Sequence, residues 1–363
     1  MQTKFSSSLL IILSLFVHLS NAQQLKPGFD KREYINLMKV SAQVGDSAYR
    51  AATPPPEGFR QVYRSPEIGL DNLWDLWMTT EQVPVISIRG TTRNEVSWMA
   101  NFYGAMVAAK GQLRLSKTQT FDYQLASNPS AAVHVGWLVS MAFLATDMMP
   151  KIDSLYKLGH KEMYIVGHSQ GGGIAYLLTA YLLNLQKMNK LPADLKFKTY
   201  CSAAPKPGNL YFAHEYEAMT QMGWAYNVVN SADWVPETLV SIQTADDFNA
   251  ISPLVNVKEF ISKQSFIKRI ALNHAYKKLT KHNRKAADNY RKYLGSYVAK
   301  SVKKHLPGFE EPAYVPTNNY VRTGNIITLL ADDAYLAAFP QDAKNIFINH
   351  LHPPYLYLVN KLD

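Results

Sequence analysis

One short glycine-rich segment constrains the fold of this chain more than any other feature. Residues 163–166 form an apolar run typical of a buried strand, and residues 171–185 show helical periodicity. Between them lies the sequence Gly-His-Ser-Gln-Gly. Its glycines leave room for a serine on a sharp turn, because no β-carbon crowds the flanks. Strand, turn and helix together predict a nucleophilic Ser169, exposed at the end of a strand, beside free N–H groups at the start of the helix.

Strand-like and helix-like patterns alternate along most of the chain. The predicted strands cover residues 72–78, 84–88, 162–166, 195–201 and 226–229. The predicted helices cover residues 29–51, 136–158, 171–185 and 210–222. This alternation favours βαβ units and a mostly parallel sheet with helices on both faces. We expect a single α/β domain over residues 23–363.

The composition agrees with a globular enzyme or binding protein. The 363 residues are 47% hydrophobic and 18% charged, which excludes a disordered or coiled-coil chain. The single cysteine, Cys201, excludes an internal disulfide and a cysteine-based zinc cluster.

The first residues indicate export. Lys4 precedes an apolar run over residues 9–19, and small residues follow it, so we expect a signal peptide over residues 1–22 with cleavage before Gln23. The run is shorter than the roughly 20 residues of a membrane span, although a retained N-terminal anchor is the alternative. Without paired cysteines, an exported chain fits a bacterial envelope, periplasmic or secreted, better than a eukaryotic secretory route.

The net charge of +10 is concentrated in one segment. Residues 257–306 hold 14 Lys and Arg against two acids, a balance of +12, so the rest of the chain carries 10 − 12 = −2. No nucleic-acid recognition motif accompanies them. Apolar residues recur at helical spacing among the cations, which predicts an amphipathic basic helix. These residues are Tyr290, Tyr293, Leu294, Tyr297, Val298 and Val302, with Arg291, Lys292, Lys300 and Lys303 between them. Two interpretations stay open: a solvated helix packed on the domain, or a surface for anionic lipid headgroups.

A nucleophilic serine needs a histidine that accepts its proton and a carboxylate that orients the histidine. After such a turn the acid comes next along the chain and the histidine comes last. Asp233 follows a predicted strand and is the favoured acid, whereas Asp246 and Asp247 lack one. His350 and His352 lie near the C-terminus, and either could be the base. The two histidines could also be a metal pair, but no acidic or thiol partner lies near them, so we expect no metal site. Acyl transfer through a serine needs no cofactor.

Four motifs occur in order along the chain. They are Ile-Ser-Ile-Arg-Gly-Thr at 86–91, Val-His-Val-Gly-Trp at 133–137, Gly-His-Ser-Gln-Gly-Gly at 167–172, and the segment with Asp and then Val-Pro at 230–236. Together they resemble the class 3 lipases, also called fungal triacylglycerol lipase-like α/β-hydrolases. The resemblance implies an α/β-hydrolase fold that cleaves carboxylic esters of lipids, as a triacylglycerol lipase or a phospholipase does, through an acyl-enzyme.

The resemblance also implies roles for individual residues. Ser169 would be the nucleophile, Asp233 the acid, and the backbone N–H groups of Thr91 and Gln170 the oxyanion hole. Gln170 stands where the family usually has Leu, a change we expect to alter a pocket wall but not the backbone donor.

The choice of base rests on spacing. Asn-His-Leu at 349–351 is similar to the family's Asp-His-Leu, and Tyr355 follows His350 by five positions. His352, with Tyr355 three positions later, matches the fungal spacing instead. We favour His350.

Two segments depart from the family or stay ambiguous. The 117 positions from Asp233 to His350 exceed the expected core, so we treat residues 257–306 as a helical insertion. Residues 98–107 form an apolar stripe rich in Met and aromatic side chains, which is either core or a mobile cover over the site.

Two other functions are compatible with parts of this pattern. One is a non-catalytic envelope protein that binds lipid or a protein partner on a hydrolase fold; the complete set of Ser, Asp and His argues against it. The other is an esterase for small esters, which shares the same order of residues.

Overall fold

The computed structural model describes residues 24–45 and 47–362. The predicted signal peptide lies outside the described residues. The strands, in chain order, are β1 (Phe59–Arg64), β2 (Trp74–Thr79), β3 (Pro84–Ile88), β4 (Met106–Ala108), β5 (Lys110–Arg114), β6 (Thr120–Gln124), β7 (Ala132–His134), β8 (Glu162–His168), β9 (Lys196–Ser202), β10 (Ala225–Asn230) and β11 (Asn325–Leu329). The helices are α1 (Lys31–Ala42), α2 (Ser47–Ala52), α3 (Glu95–Phe102), α4 (Val135–Lys157), α5 (Gln170–Lys187), α6 (Leu210–Thr220), α7 (Val257–Ser262), α8 (Phe266–Tyr290), α9 (Val298–His305), α10 (Asp333–Ala338) and α11 (His352–Asn360).

The central sheet is mixed and mostly parallel. Among the described residues, seven strands lie in the order β1-β2-β3-β8-β9-β10-β11. The pairs β1/β2 and β2/β3 are antiparallel, and every pair from β3/β8 to β10/β11 is parallel. The expected α/β-hydrolase architecture is confirmed. The carboxyl ends of β3, β8 and β10 therefore meet at one edge of the sheet.

Helices cover both faces of this sheet, as the alternation of side chains along β8 shows. Met163 and Ile165 belong to the larger core cluster, which also holds the apolar faces of α4 and α5. Tyr164 and Val166 point the other way, into a cluster with α1 and α11. Successive side chains of a strand face opposite sides, so one run of apolar residues serves two cores.

The helix predicted over residues 29–51 is interrupted. Helix α1 ends at Ala42, where the Gly45 N–H donates to the Ala42 carbonyl (3.3 Å) in a turn, and α2 begins at Ser47. The Gln43 side-chain amide donates to the Thr53 carbonyl (2.6 Å) and holds the two helices together. The sequence predicts one continuous helix here because apolar residues continue at helical spacing on both sides of the turn.

The basic segment lies in the connection from β10 to β11. It consists of α7, α8, a π-helix over Arg291–Tyr297, and α9. Its helices were expected, but the π-helical stretch was not. Of the helices in the described part of the chain, none has the length and apolar character that crossing a membrane requires.

Candidate active site

Ser169 occupies a strained turn between β8 and α5. Its backbone has φ 61° and ψ −129°, a region that side-chain-bearing residues rarely adopt. A β-carbon at Gly167 would lie 2.1 Å from the Gly171 carbonyl oxygen, so this flank has no room for a side chain. Such strain is characteristic of functional sites, where the surrounding structure holds it.

The loop after β3 lies directly beside Ser169. Strand β3 pairs with β8, with Ile88 opposite Gly167, and a β-carbon at Gly90 would be 3.5 Å from the Ser169 β-carbon. Thr91 follows at once. Gln170 is the first residue of α5, so its N–H has no acceptor within the helix. The two residues expected to form the oxyanion hole thus flank the serine.

His350 joins Ser169 to Asp233. Its Nε2 lies 2.7 Å from the Ser169 hydroxyl oxygen, and its Nδ1 lies 2.7 Å from Oδ2 of Asp233. A carboxylate accepts only, so Nδ1 carries the proton and donates it to Asp233. Nε2 is then free to accept the serine proton. The Asp233 side chain is fully buried, which strengthens its interaction with the imidazole.

His352 lies in a different environment. Its Nε2 is 3.1 Å from the Ser41 hydroxyl, and its ring packs on His168 with centroids 4.2 Å apart. Burial lowers the pKa of His352 to about 3, with a further contribution from His350. The structure therefore places His350, and not His352, against the serine.

The two competing carboxylates lie elsewhere. Asp246 pairs with Arg284 at 3.1 Å, and Asp247 accepts hydrogen bonds from Thr244 and Thr317. Both stabilise the loop that follows the Asp233 turn.

Both oxygens of Asp233 have further donors. The Tyr355 hydroxyl donates to Oδ2 (2.7 Å), and the Val235 N–H donates to Oδ1 (3.0 Å). Burial raises the pKa of Tyr355 well above its ordinary value, so its hydroxyl stays protonated. In the sequence, Tyr355 is only a spacing marker for the base, and no pattern predicts its contact with Asp233.

The His168 side chain contacts the backbone of His350 and so positions the candidate base. Its Nε2 lies 2.6 Å from the His350 carbonyl oxygen, and its Nδ1 lies 3.2 Å from the Ser202 hydroxyl. Burial lowers the pKa of His168 well below its ordinary value, so the ring is neutral, with Nε2–H donating to the carbonyl. No local sequence pattern indicates this role, because the two residues lie 182 positions apart.

Gln170 ties the turn to α3. Its amide Nε2 donates to the Ser97 carbonyl and to Oδ1 of Asn101, both at 2.9 Å. Asn101 in turn donates to the Thr91 hydroxyl (2.9 Å). Where a leucine could only fill space, this glutamine links the serine turn, α3 and the loop of Thr91.

The apolar stripe over residues 98–107 divides into two parts. Tyr103, Met106 and Val107 belong to the core and are at most 1% exposed. Trp98 is half-buried and stacks on Phe102, which is 55% exposed. The second part faces outward on α3, and its mobility stays a prediction.

Aromatic rings connect α3 to the base. The Trp98 and Phe347 centroids are 6.1 Å apart, and those of Phe347 and His350 are 5.9 Å apart. Within the described residues, no three His, Cys, Asp or Glu side chains are grouped as metal ligands would be.

Comparison with known families agrees with this geometry. The model of the family Lipase (class 3) matches residues 85–242, which include the strained serine turn and Asp233. Within this stretch, which is less than half of the chain, the sequence matches the class 3 lipases. The expected resemblance to the class 3 lipases is confirmed over these residues, and the match supports the expected class of carboxylic ester hydrolase.

Solved lipase structures resemble the chain in part. They include Rhizomucor miehei triacylglyceride lipase (19% identity, 58% of this chain and 76% of that chain, TM-score 0.43) and a lipase from Rhizopus microsporus var. chinensis (21%, 59% and 71%, TM-score 0.41). A propeptide complex of a Rhizomucor miehei lipase deletion mutant gives 19% identity over 58% of this chain, with a TM-score of 0.40. The chain covers 63% of that complex, less than two thirds of its length. A search of curated proteins found no match.

Proposed function

We propose that this protein is a class 3 lipase that cleaves carboxylic esters of lipids, with Ser169 as nucleophile, His350 as base and Asp233 as acid. The observation that carries the proposal is the unbroken hydrogen-bonded series Ser169–His350–Asp233, with both contacts at 2.7 Å. It starts from a serine that is partly exposed on a strained turn.

The reaction follows from this arrangement. The Ser169 oxygen attacks the ester carbonyl while Nε2 of His350 takes its proton, and Asp233 stabilises the imidazolium. The N–H groups of Thr91 and Gln170 hold the oxyanion. The imidazolium then protonates the departing alcohol, leaving an acyl-serine. A water molecule gives a proton to His350, attacks the acyl carbonyl and releases the acid, and the proton returns to Ser169.

An apolar groove near α3, which Trp98 and Phe347 link to His350, favours a lipid acyl chain over a small acyl group as the substrate. An open, mostly apolar groove of about 510 Å³ lies between α3 and α9. Its lining residues are Glu95, Trp98, Met99, Phe102, Tyr297, Val298 and Ser301. Trp98 connects the groove to the Phe347 ring beside His350. The substrate class we propose is a triacylglycerol or a phospholipid, and an esterase for small esters would have no use for this groove.

A substrate panel tests this proposal. We expect Ser169→Ala to abolish hydrolysis of p-nitrophenyl esters, triacylglycerol emulsions and phospholipid vesicles while leaving the circular dichroism spectrum unchanged. Among the substrates, the rate should rise from short to long acyl chains. Activity confined to short esters would favour the small-ester esterase, and an inactive wild type would favour the lipid-binding protein.

We also propose that the chain is exported, on the strength of the charged, apolar and small-residue pattern of residues 1–22. Expression of the full chain in a bacterium, followed by N-terminal sequencing of the periplasmic and medium fractions, tests this. A mature protein that begins at Gln23 is the expected result. Recovery of only full-length chain in the cytoplasm would contradict it.

A further inference from the structure

The long helix of the basic segment has one end attached to the domain. Helix α8, the π-helix over Arg291–Tyr297 and α9 follow one another without a break. At the attached end, Ala299 and Val302 are fully buried, and the Leu294 carbonyl accepts a hydrogen bond from the Ala105 N–H (3.1 Å). This end also lines the groove beside α3.

The other end projects from the domain. In α8, all of which the structure describes, Ala287 is the only buried residue. Four large apolar side chains near the start of α8 and in α7 are exposed: Phe260 by 62%, Phe266 by 67%, Ile267 by 81% and Ile270 by 56%. We call these four residues the apolar tip. Exposed apolar clusters of this kind mark interaction sites on soluble proteins.

Cations surround the apolar tip. Helix α8 carries seven Lys and Arg and one acid, Asp288, a balance of +6. Lys258, Lys268 and Arg269 are exposed next to the tip, and none forms an ion pair within the described part of the chain. Two copies meeting at their tips would therefore bring like charges together. An anionic bilayer offers negative headgroups to the cations and an acyl region to the tip.

We propose that the apolar tip inserts into anionic lipid surfaces, with the flanking cations bound to the headgroups. This inference rests on the proposed function, since it names the surface at which the enzyme meets its lipid ester. The two interpretations of the basic segment then apply to its two ends: α9 packs on the domain, and α7 with the start of α8 contacts lipid. Docking at the tip would bring the enzyme to the lipid surface, while the groove beside α3 lies at the other end of the helix.

Three variants separate the contributions. The tip variant carries Phe266→Ser, Ile267→Ser and Ile270→Ser. The charge variant carries Lys258→Gln, Lys268→Gln and Arg269→Gln. The control variant carries Lys292→Gln, Lys300→Gln and Lys304→Gln, which removes the same charge from the attached end. Hydrolysis of a soluble short-chain ester should stay at the wild-type rate in all three, because the candidate triad lies outside the segment.

The measurement is cosedimentation with vesicles of phosphatidylcholine, alone or mixed with phosphatidylglycerol, at low salt. The charge variant should lose about 100-fold in affinity for the mixed vesicles, since each cation near an anionic surface contributes roughly a factor of five. The tip variant should lose at least about tenfold. The control should lose less than either, and high salt should release the wild type.

Three results would overturn the inference: tip-variant binding equal to the wild type, equal losses in the charge and control variants, or a wild-type dimer that the tip variant abolishes. Wild-type binding without any ester hydrolysis would instead refute the proposed function and leave the lipid contact standing.

Discussion

Two regions of the molecule are rich in polar and charged groups: the surroundings of Ser169 and the projecting end of the basic segment. These groups are buried and paired in the first region, and exposed in the second. Around Ser169, His350 and Asp233 have hydrogen-bond partners at 2.7 Å and are nearly excluded from water. At the apolar tip, Lys268 and Arg269 are exposed and no carboxylate of the described residues pairs with them. Buried hydrogen-bond partners hold the catalytic side chains in one geometry, as the reaction requires. Exposed charges attract the protein to an oppositely charged surface but do not hold it in one orientation. Substitutions around Ser169 should therefore change the rate of ester hydrolysis. Substitutions at the apolar tip should change only the binding of the protein to lipid surfaces.

A loss of several orders of magnitude is expected at the acid. Asp233→Asn should lower kcat by about 10⁴-fold, because an amide donor favours the wrong imidazole tautomer of His350. Steady-state hydrolysis of a soluble p-nitrophenyl ester measures it, with the circular dichroism spectrum as the control for folding. A variant with near-wild-type kcat would remove Asp233 from the proposed mechanism.

The neighbouring histidines should respond unequally. His350→Ala should lower kcat by roughly 10³-fold or more, because Ser169 loses its proton acceptor. His352→Ala should leave kcat within about tenfold and reduce the free energy of unfolding by about 1–3 kcal/mol, since it leaves Ser41 without its buried partner. The reverse pattern would make His352 the base.

Acid should unfold the protein through its buried histidines. Burial lowers the pKa values of His134 and His352 to about 3, so the folded protein stays neutral at these sites while the unfolded chain takes up protons below about pH 6.5. The unfolded state binds more protons, so stability falls as the pH falls from about 6.5 to 3.

Urea unfolding at pH 7 and pH 5 measures this loss. Each of the two histidines should contribute about 2 kcal/mol over that interval. The substitution His352→Asn should reduce the difference by about the same amount. An unchanged pH dependence in the variant would show that His352 titrates normally in the folded state.

A smaller effect is expected at Gln170. Replacing it with Leu keeps the backbone N–H but removes the bonds to Ser97 and Asn101, so α3 and the Thr91 loop lose their link to the serine turn. We expect kcat to fall about tenfold with KM nearly unchanged, because the oxyanion hole loses alignment rather than a donor. Rescue by Gln170→Glu is not expected, since a carboxylate cannot donate to the Ser97 carbonyl. An equal kcat for the wild type and Gln170→Leu would mean that Gln170 only lines the pocket and does not align the oxyanion hole.

How far the sequence predicts the molecule depends on the range of the contacts involved. The limits of β3 coincide with the predicted residues 84–88, and the predicted turn at Ser169 lies between β8 and α5, because both follow from local periodicity and glycine. The bonds of His168 to His350 and of Gln170 to Ser97 join residues 182 and 73 positions apart, and no local pattern encodes them.

The basic segment illustrates the same limit. Apolar residues recur at helical spacing over residues 290–302, and others lie at the start of α8. Yet Val302 is buried and Ile267 is 81% exposed. Helical periodicity identifies an apolar face but does not say whether protein covers it. That depends on where the connection between β10 and β11 meets the domain, which only tertiary structure determines.

The most direct test of the central claim is covalent labelling by a fluorophosphonate probe, read by peptide mass spectrometry. The reagent reacts with a serine only when a positioned histidine accepts its proton. We predict labelling at Ser169 in the wild type and in His352→Ala, and labelling slowed by roughly 10³-fold in His350→Ala. Labelling of another serine, or equal labelling of Ser169 in His350→Ala and the wild type, would contradict the account.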